Sequence, residues 1–320
     1  APDAEGKTGG IAAGYGISEL GGGRNVCVID AVQSQAGRIE ALLQLPPYRE
    51  LIRPVAVSIV HRDGTEQTVD VLAAAHRIFD AVFRFSTLQG EIQAAVRDYS
   101  AGRARKLAEL APLALICGAW DSRGEKLQVP RAFSSEIAAQ DVSVLRRGAQ
   151  YTASVRAADI EGLEDSGSVD GLDHVPSHGL GGVIAARIER RAVLSLVTLR
   201  RNARAGDSAD ELLRYLSALA LVVLTLPIPP DLRSGCLLLP EGEATLRLQL
   251  TDGQEEILAL THEQALAFAR EAAQAFGVST LAPLLGSFDP KLVKGANEAK
   301  AAKKAGKKGA KATEAAGSGE

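Results

Sequence analysis

The sequence predicts an α+β fold, and three observations carry that expectation. Short β-branched runs and helical patterns alternate irregularly along the chain. Several strand patterns lack a following helix, which a doubly wound parallel sheet requires. The chain has 320 residues and is 46% hydrophobic, enough for a real core in one large domain or two ordinary ones.

Val26 to Ile29 reads as a buried strand. A polar turn, Asp30 to Gln35, follows it, and then an amphipathic helix with Ile39, Leu42 and Leu43 at helical spacing. Backbone N–H groups and the Arg38 fork would converge there, which suits a phosphate. Before this stretch, residues 1–24 are glycine-rich and weakly patterned, and are expected to be a flexible N-terminal segment. Pro54 to Val60 reads as a strand ending in the turn His61 to Gly64. Val71 to Phe85 and Gln89 to Leu110 read as helices. Pro112 to Trp120 reads as a buried strand, Asp121 to Gly124 as a loop, and Arg131 to Ile137 as a further strand.

The segment from Val142 to His178 is irregular, with acidic residues from Asp159 to Asp173. It is expected to be an insertion spanning about 142–182. Val183 to Leu199 is apolar and β-branched. Asp207 to Leu224 reads as a helix capped by Ser208 and stopped by Pro227. Leu232 to Leu239 reads as a strand, and Ala244 to Leu260 as a hairpin around Asp252-Gly253. Thr261 to Phe276 reads as a capped helix ending at Gly277. From residue 286 a Lys/Ala-rich tail is expected to be disordered, leaving 25–285 as the folded domain. This order of elements suits a sheet of the ferredoxin or RNA-recognition type.

The net charge of −3 argues against a protein that coats nucleic acid non-specifically, and permits one with a single basic groove. Eight of the eleven lysines fall between Lys291 and Lys311; elsewhere the positive charge is almost all arginine. Arginine is the better fork for phosphate and also stacks on bases. Cys27, Cys117 and Cys236 sit in apolar runs without metal-ligand spacing, as reduced core residues of a cytoplasmic protein do. The most apolar run, Ser217 to Leu226, is too short to cross a membrane.

No HExxH, GxSxG or complete Walker A pattern occurs. His174 and His178 are separated by Pro176 and do not share a helix face. His76, Arg77 and Asp80 lie on one helical turn, and Asp121 follows a strand pattern. Together His76, Asp80 and Asp121 define an alternative reading, a metal-dependent nuclease or hydrolase. Arg190-Arg191 and Arg200-Arg201 read equally as phosphate contacts or as solvated ends of apolar elements. The aromatic motifs of RNA-recognition modules are absent, so RNA contacts would rest on the backbone.

Six segments together resemble the backbone subunit of type I CRISPR effector complexes, subtype I-G (formerly I-U). They are VIDAVQSQAGRIE (Val28 to Glu40), HRIFDAVFR (His76 to Arg84), GAWDSRG with VPRAFSSEI (Gly118 to Ile137), GLGGV (Gly179 to Val183), VLSLVTLRR (Val193 to Arg201) and DLRSGCLLLP (Asp231 to Pro240). The resemblance implies a modified RNA-recognition-motif, ferredoxin-like palm with inserted thumb and finger segments. It implies no catalysis and no cofactor or metal. The implied partners are CRISPR RNA, the target DNA strand, neighbouring copies stacked head to tail, a large subunit and a guide-processing subunit. On this reading Gln33, Ser34 and Arg38 are the first candidates for guide contacts. His76, Arg77, Ser122, Arg123 and Arg131 come next, then Arg200 and Arg201.

Overall fold

The computed structural model describes residues 15–124, 126–151, 175–203, 209–242 and 244–297. They form an α+β fold of helices and small sheets. The chain divides into two compact units, Ala1–Ala31 with Glu136–Arg191, and Val32–Ser135 with Ala192–Glu320.

β1 (Ile17–Gly21) and β2 (Arg24–Asp30) form an antiparallel hairpin. Its turn uses glycines at positive φ, from Gly21 to Gly23. The later part of the expected flexible segment is therefore strand, and its first fourteen residues lie outside the described ones. α1 (Val32–Leu43) starts earlier than the sequence suggests. Gln33, Ser34 and Gln35 belong to its first turn and not to a loop. Gln35 is buried there and accepts a hydrogen bond from the Ser135 hydroxyl at 3.0 Å.

β3 (Val55–Val60) and β4 (Glu66–Asp70) form the next hairpin around the expected turn at His61 to Gly64. The pattern at Val71 to Phe85 does not make one helix. A 3-10 turn, Arg77–Phe79, is followed by the short α2 (Ala81–Arg84). Arg77 sits at φ 52, which no right-handed helix can continue. Gln89 to Leu110 splits into α3 (Gln89–Ser100) and α4 (Arg105–Leu110), broken at Gly102 with φ 90. Pro112 opens a buried helix, α5 (Pro112–Ile116), where a strand was expected. The pre-set φ of proline suits the first helical position, and a run buried all round carries no period to distinguish helix from strand.

β5 (Ala119–Trp120) and β6 (Gln128–Val129) flank the loop bearing Ser122 and Arg123. β7 (Phe133–Gln140) follows. β8 (Ser143–Tyr151) pairs antiparallel with β9 (Val175–Ile184), so both ends of the expected irregular insertion are a ladder. The acidic residues between Asp159 and Asp173 lie outside the described residues. β10 (Arg187–Leu194) joins a four-stranded sheet in the order β1-β2-β7-β10. α6 (Leu196–Ala203) is capped by Ser195, whose hydroxyl accepts from the Thr198 amide.

α7 (Ala209–Thr225) ends before the prolines as expected; Ser208, its expected cap, lies outside the described residues. β11 (Asp231–Arg233) and β12 (Cys236–Leu237) replace the single expected strand. β13 (Arg247–Gln249) and β14 (Glu255–Ile257) form the expected hairpin. α8 (His262–Phe276) carries a full capping box from Thr261 and Gln264 and ends on Gly277 at φ 90. β15 (Leu284–Ser287) pairs parallel with β3. Residues 290–297 are helical at the start of the expected disordered tail, whose remainder lies outside the described residues.

The larger unit packs around Ile39, Leu43, Phe83, Tyr99, Leu113, Tyr215 and Phe276, all buried. Among the described residues, the smaller unit has a cluster of Cys27, Ala139 and Val142.

Candidate functional site

Four segments of the larger unit carry the candidate residues, and long-range hydrogen bonds fix them. α1 presents Gln33 and Ser34 exposed in its first turn, which has no acidic residue. Arg38, one turn on, is half-buried. Its Nη2 donates to the Leu232 carbonyl at 2.6 Å, so this fork ties α1 to β11.

His76 is exposed. Arg77 turns inward and is buried. Its Nε donates to Glu40 Oε1 at 2.5 Å, and its Nη1 donates to the Gly118 carbonyl at 2.8 Å. Burial raises the Glu40 carboxyl above its ordinary range, against the pull of the Arg77 charge. The expectation of Arg77 as a guide contact is corrected here: a guanidinium held by a buried carboxylate and a carbonyl does not reach a ligand. It positions the loop that begins at Gly118.

That loop is closed by its own backbone and by Asp121. The Asp121 amide donates to the Leu127 carbonyl at 2.8 Å. Asp121 Oδ1 accepts from the Gly124 amide at 2.7 Å and from the Arg123 amide at 3.3 Å, an Asx turn. A Cβ at Gly124 would collide with this carboxylate, so only glycine fits. The turn holds Ser122 and Arg123 out into solvent. At its far end Arg131 is exposed, and its Nε donates to the Cys117 carbonyl at 3.2 Å. Gly118 has φ 78 and lies against the Arg131 backbone, with 3.1 Å from a built Cβ to Arg131 Cα. Burial pushes the Cys117 thiol up to about 12, so it is no nucleophile near neutral pH.

Arg200 and Arg201 are exposed in the last turn of α6, where positive charge also suits the helix dipole. The next residue, Asn202, is buried. Its Nδ2 donates to the carbonyls of Leu115 at 2.8 Å and Pro130 at 2.7 Å. This amide fastens the end of α6 to the residue before Arg131. The structure thus gathers Arg131, Arg200 and Arg201 around one tether. Arg123 lies on the loop that ends there, while Arg38 is drawn away to β11. Sequence reasoning missed Asn202 and Glu40, because only distant partners reveal their roles.

Of the residues of the alternative hydrolase reading, Asp80 accepts from the His76 amide at 3.4 Å, and the carboxylates of Asp80 and Asp121 both have local backbone partners. Asp80 caps α2, accepting from the Val82 amide at 3.1 Å, and Asp121 closes its turn. Among the described residues no three His, Cys, Asp or Glu are placed to hold a metal ion. His174 lies outside those residues. Among them, too, no helix is long and apolar enough to cross a membrane.

Residues 7–144 match the family model described as CRISPR-associated protein GSU0053. Over this span the chain is similar to a CRISPR-associated protein. No curated protein matches it. The matched span holds α1, the Arg77–Glu40 pair and the Asp121 loop with Arg123 and Arg131. The Arg200-Arg201 pair lies beyond it. The coarse function the match supports is a role in CRISPR defence.

Proposed function

We propose that the chain is a non-catalytic CRISPR-RNA-binding backbone subunit of a type I effector complex of subtype I-G. The observation that carries this reading is the CRISPR-associated family match over the segment bearing most of the candidate residues. Exposed arginines held by a fixed internal framework support it. A subunit that must accept any guide sequence needs phosphate and shape contacts, not base-specific ones. Ser122, Arg123, Arg131, Arg200 and Arg201 serve as the phosphate contacts, with Gln33, Ser34 and His76 as further polar contacts. Arg38 and Arg77 are positioning residues. On this reading the fold is a modified RNA-recognition palm with inserted thumb and finger segments. Copies stack head to tail along the guide, which pairs with target DNA, and a large subunit and a guide-processing subunit complete the complex.

The test is fluorescence anisotropy of a labelled repeat-plus-spacer RNA across a salt series. Phosphate contacts make affinity fall steeply with salt, and each one lost flattens the slope by about 0.7 for a single strand. The Arg200→Ala/Arg201→Ala variant is expected to bind more weakly with a slope flatter by about 1.4. No RNA binding at low salt, alone or with partner subunits, overturns the reading.

A further inference from the structure

A cavity of about 240 Å³ borders the Asp121 turn and is walled by that turn, residues 78–85, α3 and Ala296. It is smaller than the ~300–1,000 Å³ of sites for drug-sized ligands, and suits a single planar ring system. Its wall includes a cation–π pair. The Arg84 guanidinium lies over the Phe85 ring, 5.6 Å from the centroid, and its Nη2 is fixed by the Phe79 carbonyl at 3.1 Å. Two carboxamides also line it. Gln89 is oriented by donating Nε2 to the Arg84 carbonyl at 2.9 Å, and its Oε1 has no protein partner among the described residues. Gln93 is exposed, and its carboxamide has no hydrogen bond to protein among those residues. The exposed Arg123 side chain stands at the same cavity with no ion pair among them.

We propose that this cavity takes one unstacked nucleobase. The base lies against the Arg84–Phe85 pair, its edge meets the carboxamides of Gln89 and Gln93, and its phosphate meets Arg123. The chemistry favours this occupant over a purely apolar one. An arginine–aromatic pair stacks any base by its face. The Gln93 carboxamide has both donor and acceptor and by turning over matches the edge of more than one base, while Gln89, held by the Arg84 carbonyl, presents its acceptor. A guanidinium at the mouth supplies the fork that a phosphate takes. The strand as source of the nucleotide rests on the RNA-binding reading; a free nucleotide has the same chemistry.

Two probes separate these sources. Saturation-transfer NMR with 5′-AMP reads the cavity alone, and photo-cross-linking of a 5-iodouridine-substituted spacer RNA, mapped by mass spectrometry, reads the strand. The expected results are saturation strongest at the base protons and cross-links within residues 79–93. Gln93→Ala should weaken AMP about fivefold and Arg123→Ala about tenfold. AMP binding without cross-links in this region supports a free-nucleotide site. Cross-links there without measurable AMP binding support a site filled only by a strand. If AMP does not bind and cross-links fall elsewhere or nowhere, the proposal is overturned. In that case wild-type RNA affinity in Gln93→Ala leaves the RNA-binding reading standing, and absence of RNA binding overturns that reading separately.

Discussion

Arg77 shows what one residue decides when its partners are far away in sequence. Its fork bonds Glu40 and the Gly118 carbonyl, 37 and 41 residues away, with both charged groups buried. Removing one member of such a pair leaves an uncompensated charge out of water, at a cost of about 3–5 kcal/mol. Arg77→Ala is therefore expected to lose about that much stability in urea denaturation. The paired change Arg77→Met/Glu40→Leu is expected to recover most of it, since an apolar pair leaves no orphan charge. A cost below about 1 kcal/mol for Arg77→Ala would show that the bridge is not what fixes the loop.

His262 makes a second residue-scale argument. Thr225 Oγ1 donates to the Leu221 carbonyl, so it accepts from His262 Nδ1–H at 3.0 Å. Nε2 then accepts from the Tyr48 hydroxyl at 2.8 Å. The ring is held neutral, and burial lowers its pKa from 6.5, against a smaller upward pull from Glu263. The unfolded chain therefore binds the proton more tightly. This contribution is complete above pH 6.5 and is lost as pH falls through the folded value. Thermal melting should show a lower Tm at pH 5.5 than at pH 7.5, and His262→Gln should reduce the difference. An unchanged pH dependence in the variant would assign the effect to other groups.

At the scale of elements, α8 is legible because its signals are local. Thr261 and Gln264 close the capping box and Gly277 ends the helix at φ 90. Thr261→Ala is expected to cost about 1 kcal/mol, measured by urea denaturation, because the Gln264 amide loses its acceptor. The hairpin at Asp252-Gly253 and strand β3 were readable for the same reason. α5 was not, because every residue from Pro112 to Ile116 is buried and the run has no polar face. The break at Arg77 was not either, since its positive φ is maintained by partners outside any local window. The candidate site divides along the same line. The exposure of Arg123, Arg200 and Arg201 fits residues in a polar loop and at a helix end, whereas Arg131, between Pro130 and Ala132, has no polar neighbour in sequence. The inward turn of Arg38 toward Leu232, 194 residues away, leaves no local trace. Gln89 and Gln93 carry no local signal, and only the cavity gives them a common neighbour.

For the molecule as a whole, the two compact units differ most in what they bury. Among the described residues the larger has a continuous core running from Ile39 through the α7–α8 residues to Val278, while the smaller gathers Cys27, Ala139 and Val142 with a few half-buried neighbours. Each fully buried aliphatic side chain contributes about 1.5–3 kcal/mol, so the smaller unit has much less to lose on opening. Backbone hydrogen bonding does not even out the difference, because strand and helix amides are bonded in both units. Amides of β2 and of residues 136–140 should therefore exchange with deuterium well before those of α5 and α7, through sub-global opening that leaves the larger unit folded. Hydrogen-exchange mass spectrometry over a range of urea concentrations checks this. Exchange in β2 should respond weakly to urea, since its opening exposes little surface, and exchange in α7 should respond steeply. Equal protection and equal urea dependence in β2 and α7 would mean that the two units open as one cooperative body.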